Sequence, residues 1–349
     1  MRIASREIGP GNPVFVVAEM SSSHEGKLEH AHHLIDAAAE AGADAVKFQL
    51  YRPEDLTANR ADWQIVGGAW DGTSLWELYT QAQTPAEWMP ELFQHAREVK
   101  LIPFASAFAP WAVEALEAVE CPAYKVASLE IGELDLIRCM AGTGKPIIIS
   151  TGRATHKQIL AAHIAATKNA EDVAPFLNRD VALLHCLAAY PASVKSMNLR
   201  TLKKLREFGC VVGLSDHSRS PLVAELAVAL GASILEVHLM LPTPPSVNPL
   251  DKGHSLDPNE FKEMVLSVRM AELALGEAQL GVRPGEEATD PFIRRLTYRT
   301  DLPAGHTLTV EDCKTLRAPV GLTVDAAPWG RILVRDVRST DPVQAEDFA

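Results

Sequence analysis

Short apolar runs recur along the chain, and between them the apolar positions fall three and four residues apart. Residues 14–19 form the first such run. Residues 27–41 follow, with Leu34, Ile35, Ala38 and Ala41 at helical spacing, so the pattern predicts a strand and then a helix. The alternation continues with strands at 43–49 and 101–106, a helix at 85–99, and a helix beginning at Trp111. Strands at 123–128, 146–150, 181–186, 211–215 and 234–238 complete the series. Each precedes a helical pattern, the last at 258–275. Eight strand–helix units in about 275 residues match a (β/α)8 TIM barrel. A doubly wound open sheet usually has fewer units and carries a GxGxxG loop. Here the first strand leads into Met20-Ser21-Ser22-Ser23-His24-Glu25-Gly26 instead.

Beyond Leu275 the periodicity stops. Residues 277–291 are rich in Gly, Pro and Glu and read as a linker between a barrel at 1–276 and a second domain at 292–349. That last stretch has short strand-like runs and a turn at Asp301-Leu302-Pro303-Ala304-Gly305. It predicts a small β-rich domain, marginal alone.

With 47% hydrophobic and 22% charged residues, the chain has the balance of a soluble globular protein. Its net charge of −12, without a basic run, argues against nucleic acid or an anionic membrane as partner. An anionic substrate would therefore need a local basic pocket. No signal-peptide pattern opens the sequence, no apolar run reaches membrane-spanning length, and the five cysteines lack paired spacing. These features predict a cytoplasmic protein.

A barrel assembles its active site at the C-terminal ends of its strands. The predicted ends carry Lys47, Gln49, Lys125, Ser128, Ser150, Ser215, His217 and His238, with Glu25 and Glu130 just beyond strands. The last two histidines end consecutive apolar runs, as metal ligands or as strand caps. Lys47 and Lys125 are expensive to bury unless they meet an anionic ligand, or Glu19 or Glu236 in ion pairs. Ser128, Ser150 and Thr151 either donate to the same anion or cap helices. Glu25 and Glu130 are acid/base candidates or ion-pair partners. His24 is a further candidate near the metal, and the tryptophans from Trp63 to Trp88 either line a sugar site or pack a long loop.

Several segments carry a resemblance. They are Ala18-Glu19-Met20, His24-Glu25-Gly26, Lys47-Phe48-Gln49, Tyr124-Lys125-Val126-Ala127-Ser128-Leu129-Glu130 and Ser150-Thr151-Gly152. The series continues with Leu184-His185-Cys186, Tyr190-Pro191, Gly213-Leu214-Ser215-Asp216-His217 and Glu236-Val237-His238. In this order they resemble the sialic acid synthase family, which condenses phosphoenolpyruvate with an N-acyl amino sugar. The segments 70–79 and 84–88 look closer to pseudaminic acid synthases and spore-coat polysaccharide relatives.

The resemblance implies a C-terminal SAF (type III antifreeze-like) domain and a divalent metal, usually Mn2+, with Mg2+ or Co2+ as alternatives. It implies that His217 and His238 hold that metal, and that Lys47, Lys125, Ser128, Ser150 and Ser215 hold phosphoenolpyruvate. Glu25 would act near the metal-bound water and Glu130 would carry a proton. Gln49, Tyr190 and Asp251 would contact the sugar, and Arg294 would be lent to the partner's site in a homodimer.

The chain departs from the family pattern at Leu50, Ala109, Leu187 and Ala188, and at 241–251, where the family's arginine is missing. These departures fall on the sugar side. Two other functions stay open on the residues: a metal-dependent aldolase acting on a pyruvate-like donor, and a non-catalytic sugar-binding relative.

Overall fold

The computed structural model describes residues 1–167, 180–243 and 249–349. Two compact units divide the chain, Met1–Gly276 and Glu277–Ala349. In the first, eight parallel strands close into a barrel: β1 Phe15–Glu19, β2 Ala45–Leu50, β3 Ile102–Ala107, β4 Tyr124–Val126, β5 Ile147–Ser150, β6 Val181–Cys186, β7 Val211–Asp216 and β8 Ile234–His238. β8 pairs with β1 and closes the ring, with His238 opposite Glu19. Glu19 in turn lies opposite Lys47, Gln49 opposite Ser106, and Ser106 opposite Lys125. This register brings reactive side chains from distant segments to one rim.

The period of two along each strand sorts those side chains. On β2, Lys47 and Gln49 face the barrel interior, whereas Phe48 packs outward on Phe93 of the helix Met89–Glu98 at 5.6 Å between ring centroids. On β8, Glu236 and His238 face inward in the same way. Gly213 of β7 is required by packing: a Cβ there would sit 2.4 Å from the carbonyl oxygen of Ile234 and 2.7 Å from Leu184 Cδ2.

The predicted helices at 27–41 and 258–275 are Leu28–Glu40 and Pro258–Leu275. Asp257 caps the latter, accepting from the backbone N–H of Asn259 and of Glu260, and Pro258 opens it. The helix expected at 85–99 begins as a short 3-10 turn, Ala86–Trp88, before Met89–Glu98. The tryptophan-rich insertion holds an unanticipated helix, Leu75–Ala82. Its start was written in the sequence as Ser74-x-x-Glu77: each side chain accepts from the other's backbone N–H.

The second unit has its own core around Leu296, Tyr298, Leu308, Leu333 and Val343. Arg294–Tyr298 and Cys313–Arg317 pair antiparallel there, and short bridges such as Thr297 with Pro342 and Leu333 with Phe348 extend the β character. Buried Asp347 accepts from the Tyr298 hydroxyl at 2.8 Å and from Arg335 Nε at 2.8 Å. Among the described residues, no helix is long and apolar enough to cross a membrane.

Candidate active site

A cavity of about 210 Å³ opens at the C-terminal rim of the barrel. The inward residues of the strand ends line it: Glu19, Lys47, Gln49, Ser106, Lys125, Ser150, Ser215, Glu236 and His238. Two lysines and two carboxylates form its floor, and all four are buried. Lys47 pairs with Glu19 and lies 3.8 Å from Glu236 Oε2. Lys125 Nζ lies 3.5 Å from Glu236 Oε1, which also accepts from the Ser215 hydroxyl at 3.0 Å. The ion pairs weighed for Lys47 are therefore present, with Glu236 shared between both lysines.

Burial and charge act unequally on the four. Burial alone would lower Lys47, but Glu19 and Glu236 hold it above its ordinary value. Burial pushes Lys125 down, and Glu236 compensates only in part. Glu19 is pushed up by burial despite Lys47, whereas Lys125 and Lys47 hold Glu236 down against its burial. Lys125 is thus an ammonium short of counter-charge, which an anionic ligand would relieve.

Hydroxyls stand beside the lysines. Ser128 Oγ accepts from the Gly152 N–H at 3.1 Å. That approach requires glycine, because a Cβ at position 152 would meet Ser128 Oγ at 2.8 Å. Ser150 Oγ is buried without a partner and faces the same cavity. Thr151 is occupied elsewhere, donating to the Leu184 carbonyl at 3.0 Å.

At the same rim three imidazoles converge. His217 and His238 have ring centroids 5.1 Å apart, and His254 lies 4.6 Å from His238 and 5.9 Å from His217. Nδ1 of His217 lies 3.1 Å from the Leu187 carbonyl, a bond that requires the proton on Nδ1 and leaves Nε2 with its lone pair. Burial lowers His217 to about 4 and His238 well below its ordinary value, so both are neutral, the form that ligates metals. Nδ1 of His238 and of His254 are buried without hydrogen-bond partners. His238, Asp251 and His254 each offer one ligand atom within 4.8 Å of the others. Neutral imidazoles, orphaned nitrogens and one carboxylate fit a divalent cation. His24 is not part of this set, since its Nε2 lies 3.1 Å from Thr84 Oγ1 and its Nδ1 accepts from the Gly26 N–H.

The remaining predicted residues divide. Burial raises Glu130 to about 7, and it lines the cavity. The Gln49 amide donates to Glu19 at 3.1 Å and Ser21 Oγ at 3.2 Å. Tyr190 packs against His217 at 4.3 Å between centroids, its ring tilted by 44°. Glu25 is not among the cavity-lining residues; it occupies a left-handed backbone position, φ 52°, and its carboxylate lies 3.8 Å from His30. Arg294 is an exposed residue of the second unit. Of the departures, Leu187 packs its side chain against the barrel core, and its carbonyl faces His217 Nδ1 at 3.1 Å. Residues 244–248 of the altered loop lie outside the described residues.

The NeuB family profile matches residues 34–280. The chain belongs to the NeuB family. It is 38% identical over 340 residues, covering 96% of each chain, to pseudaminic acid synthase of Campylobacter jejuni subsp. jejuni serotype O:23/36 (strain 81-176). It is 41% identical over 314 residues, 89% of this chain and 90% of the relative, to pseudaminic acid synthase of Helicobacter pylori (strain ATCC 700392 / 26695). Among solved structures it resembles spore coat polysaccharide biosynthesis protein SpsE of Bacillus subtilis, with a TM-score of 0.66 and 29% identity over 100% of this chain and 99% of that one.

One feature of this NeuB-family site escaped the sequence reading, and another was left open among several candidates. His254 follows Asp251 by three residues in a loop, and no periodicity marks it. Trp70 was one of several tryptophans; the fold selects it, with its ring 5.5 Å from Tyr190 and its indole N–H donating to the Leu250 carbonyl at 3.0 Å. Trp88 instead packs on His24 at 5.4 Å, and Trp63 is exposed.

Proposed function

We propose that this chain is a nonulosonic acid synthase, condensing phosphoenolpyruvate with the open-chain aldehyde of an N-acyl amino sugar and releasing phosphate. The observation that carries this reading is one cavity lined both by two buried lysines and by converging buried imidazoles. The named activity of the pseudaminic acid synthase relatives supports it. The likeness to SpsE, a spore coat polysaccharide biosynthesis protein, supports a place in polysaccharide biosynthesis.

Lys47 and Lys125, with the hydroxyls of Ser128, Ser150 and Ser215, hold the phosphate and carboxylate of phosphoenolpyruvate. His217 and His238 hold a divalent cation, Mn2+ by family resemblance, with Mg2+ or Co2+ as alternatives. When bound, that cation polarises the aldehyde oxygen as a Lewis acid. Gln49, Tyr190 and Asp251 orient the sugar so that its aldehyde carbon faces carbon 3 of phosphoenolpyruvate. The carbon–carbon bond forms there, water adds at carbon 2, and phosphate leaves with the carbon 2–oxygen bond. Glu130 carries a proton in this sequence, its carboxyl raised to about 7 by burial. Glu25, in the loop beside Ser22, acts on the attacking water.

The same reading takes residues 292–349 as an SAF-type domain whose Arg294 completes the partner's site in a cytoplasmic homodimer. Its β-rich core and exposed Arg294 support that view. Solution mass measured alongside activity tests it: a fully active monomer removes the shared site.

The deciding experiment is phosphate release from phosphoenolpyruvate across a panel of N-acyl amino sugars, with Mn2+ and with chelator. Metal-dependent release with one sugar is expected. Product formation from pyruvate without phosphate release would replace this reading with the aldolase one.

A further inference from the structure

His254 is called on neither by the family resemblance nor by the reaction above. It lies in the turn after β8, where its backbone N–H and that of Ser255 both donate to the Asp251 carbonyl, at 3.1 and 3.0 Å. That turn swings the side chains of Asp251 and His254 toward the same point. Ser22 occupies Asp251 Oδ2 twice, through its backbone N–H at 2.9 Å and its hydroxyl at 2.7 Å. Oδ1 is therefore the free oxygen, and it lies 3.4 Å from His254 Nε2. His254 is 1% exposed, with Tyr190 walling its ring at 4.9 Å and Trp70 at 6.2 Å.

An ion pair with Asp251 would explain one edge of this ring and leave Nδ1 buried with nothing to bond. A cation on Nδ1 would satisfy both edges of the ring, with the Nε2–H directed at Asp251 Oδ1. Ligand atoms about 2.0–2.2 Å from one ion lie within about 4.4 Å of each other; those of His238, Asp251 and His254 lie within 4.8 Å, so only a small inward shift brings all three to one ion. His217 adds a nitrogen lone pair from the next strand.

We infer that His254 is a third imidazole donor to the divalent cation, making with His217, His238 and Asp251 a nitrogen-rich site. The inference rests on the reading that this cavity holds a cation. Imidazole donors favour Co2+, Zn2+ and Fe2+, whereas oxygen donors suit Mn2+ and Mg2+. A third imidazole therefore raises the preference for Co2+ over Mn2+ above what two imidazoles provide.

The test is titration of the metal-free full-length protein with Co2+, followed by visible absorption, and with Co2+ and Mn2+ by calorimetry. Wild-type protein should bind one Co2+ per chain. His254→Ala and the polar variant His254→Gln should both shift the Co2+ absorption bands. Both should also weaken Co2+ binding by about tenfold or more and lower the ratio of Co2+ to Mn2+ affinity. Thermal unfolding of the metal-free proteins establishes that both variants are folded. Unchanged bands and an unchanged affinity ratio in the folded variants would overturn the assignment. Phosphate release is scored separately on wild-type protein. A chain that binds Co2+ through His254 but never releases phosphate keeps this site and loses the proposed reaction; the converse result loses only His254.

Discussion

Glu236 of β8 and Lys125 of β4 meet across the barrel interior at 3.5 Å, both buried. Glu236 also lies 3.8 Å from Lys47, so one carboxylate serves two ammonium groups. Breaking a buried pair by neutralising one partner leaves an uncompensated charge and costs about 3–5 kcal/mol. Glu236→Gln should lose that much stability in urea unfolding at pH 7. A variant as stable as wild type would mean that the lysines find other counter-charges.

Lys125 is held below its ordinary value because burial outweighs Glu236. Phosphoenolpyruvate should supply the missing negative charge. It should raise the unfolding midpoint of wild-type protein and leave that of Lys125→Met nearly unmoved. Equal shifts in the two proteins would place the anion elsewhere.

Glu130 titrates at about 7, above the ordinary 4.5, because it is buried. The folded state therefore binds this proton more tightly than the unfolded chain does. Its stabilising contribution is full below pH 4.5 and is lost as pH rises through 7. Glu130→Gln should lack that pH-dependent loss. In the proton-carrying role, kcat/KM should show a limb near pH 7 that disappears in Glu130→Gln, with activity lower by about 10²–10⁴-fold. A retained limb in the variant would assign the titration to another group.

Trp70 leans on Tyr190 and His254 at the wall of the cavity. An aromatic contact of this kind contributes about 0.5–1.5 kcal/mol. Trp70→Ala should raise KM for the amino sugar by up to about tenfold and leave KM for phosphoenolpyruvate near its wild-type value. Steady-state kinetics with each substrate varied in turn separates the two; a matched rise in both would make Trp70 a general packing residue.

Chelation should abolish turnover and lower thermal stability together, because a bound cation stabilises only the folded state. Restoring a divalent metal to about 100 times its Kd should return about 2.7 kcal/mol, read as a rise in the unfolding midpoint. An unmoved midpoint on chelation and on metal return would mean that no resident cation occupies the site.

The chain itself determined the barrel strands, because strand and helix periodicities are local and each run reports its own element. It determined the polarity of the rim for the same reason: Lys47, Lys125, Ser150, Ser215 and His238 mark strand ends by their place in the pattern. The helix that Ser74 and Glu77 cap was missed, although its signal is local, since both partners lie within one turn. Only the tertiary structure decided that Glu236 serves both lysines, that Ser22 and Asp251, 229 residues apart, are bonded, and that His254 turns toward His238. It also set Glu25 against His30 and brought Trp70 rather than Trp63 to the cavity. Those relations depend on how the closed barrel staggers its strands and how its loops fold back over the rim. That geometry is fixed by pairings between distant segments, and no local pattern encodes them.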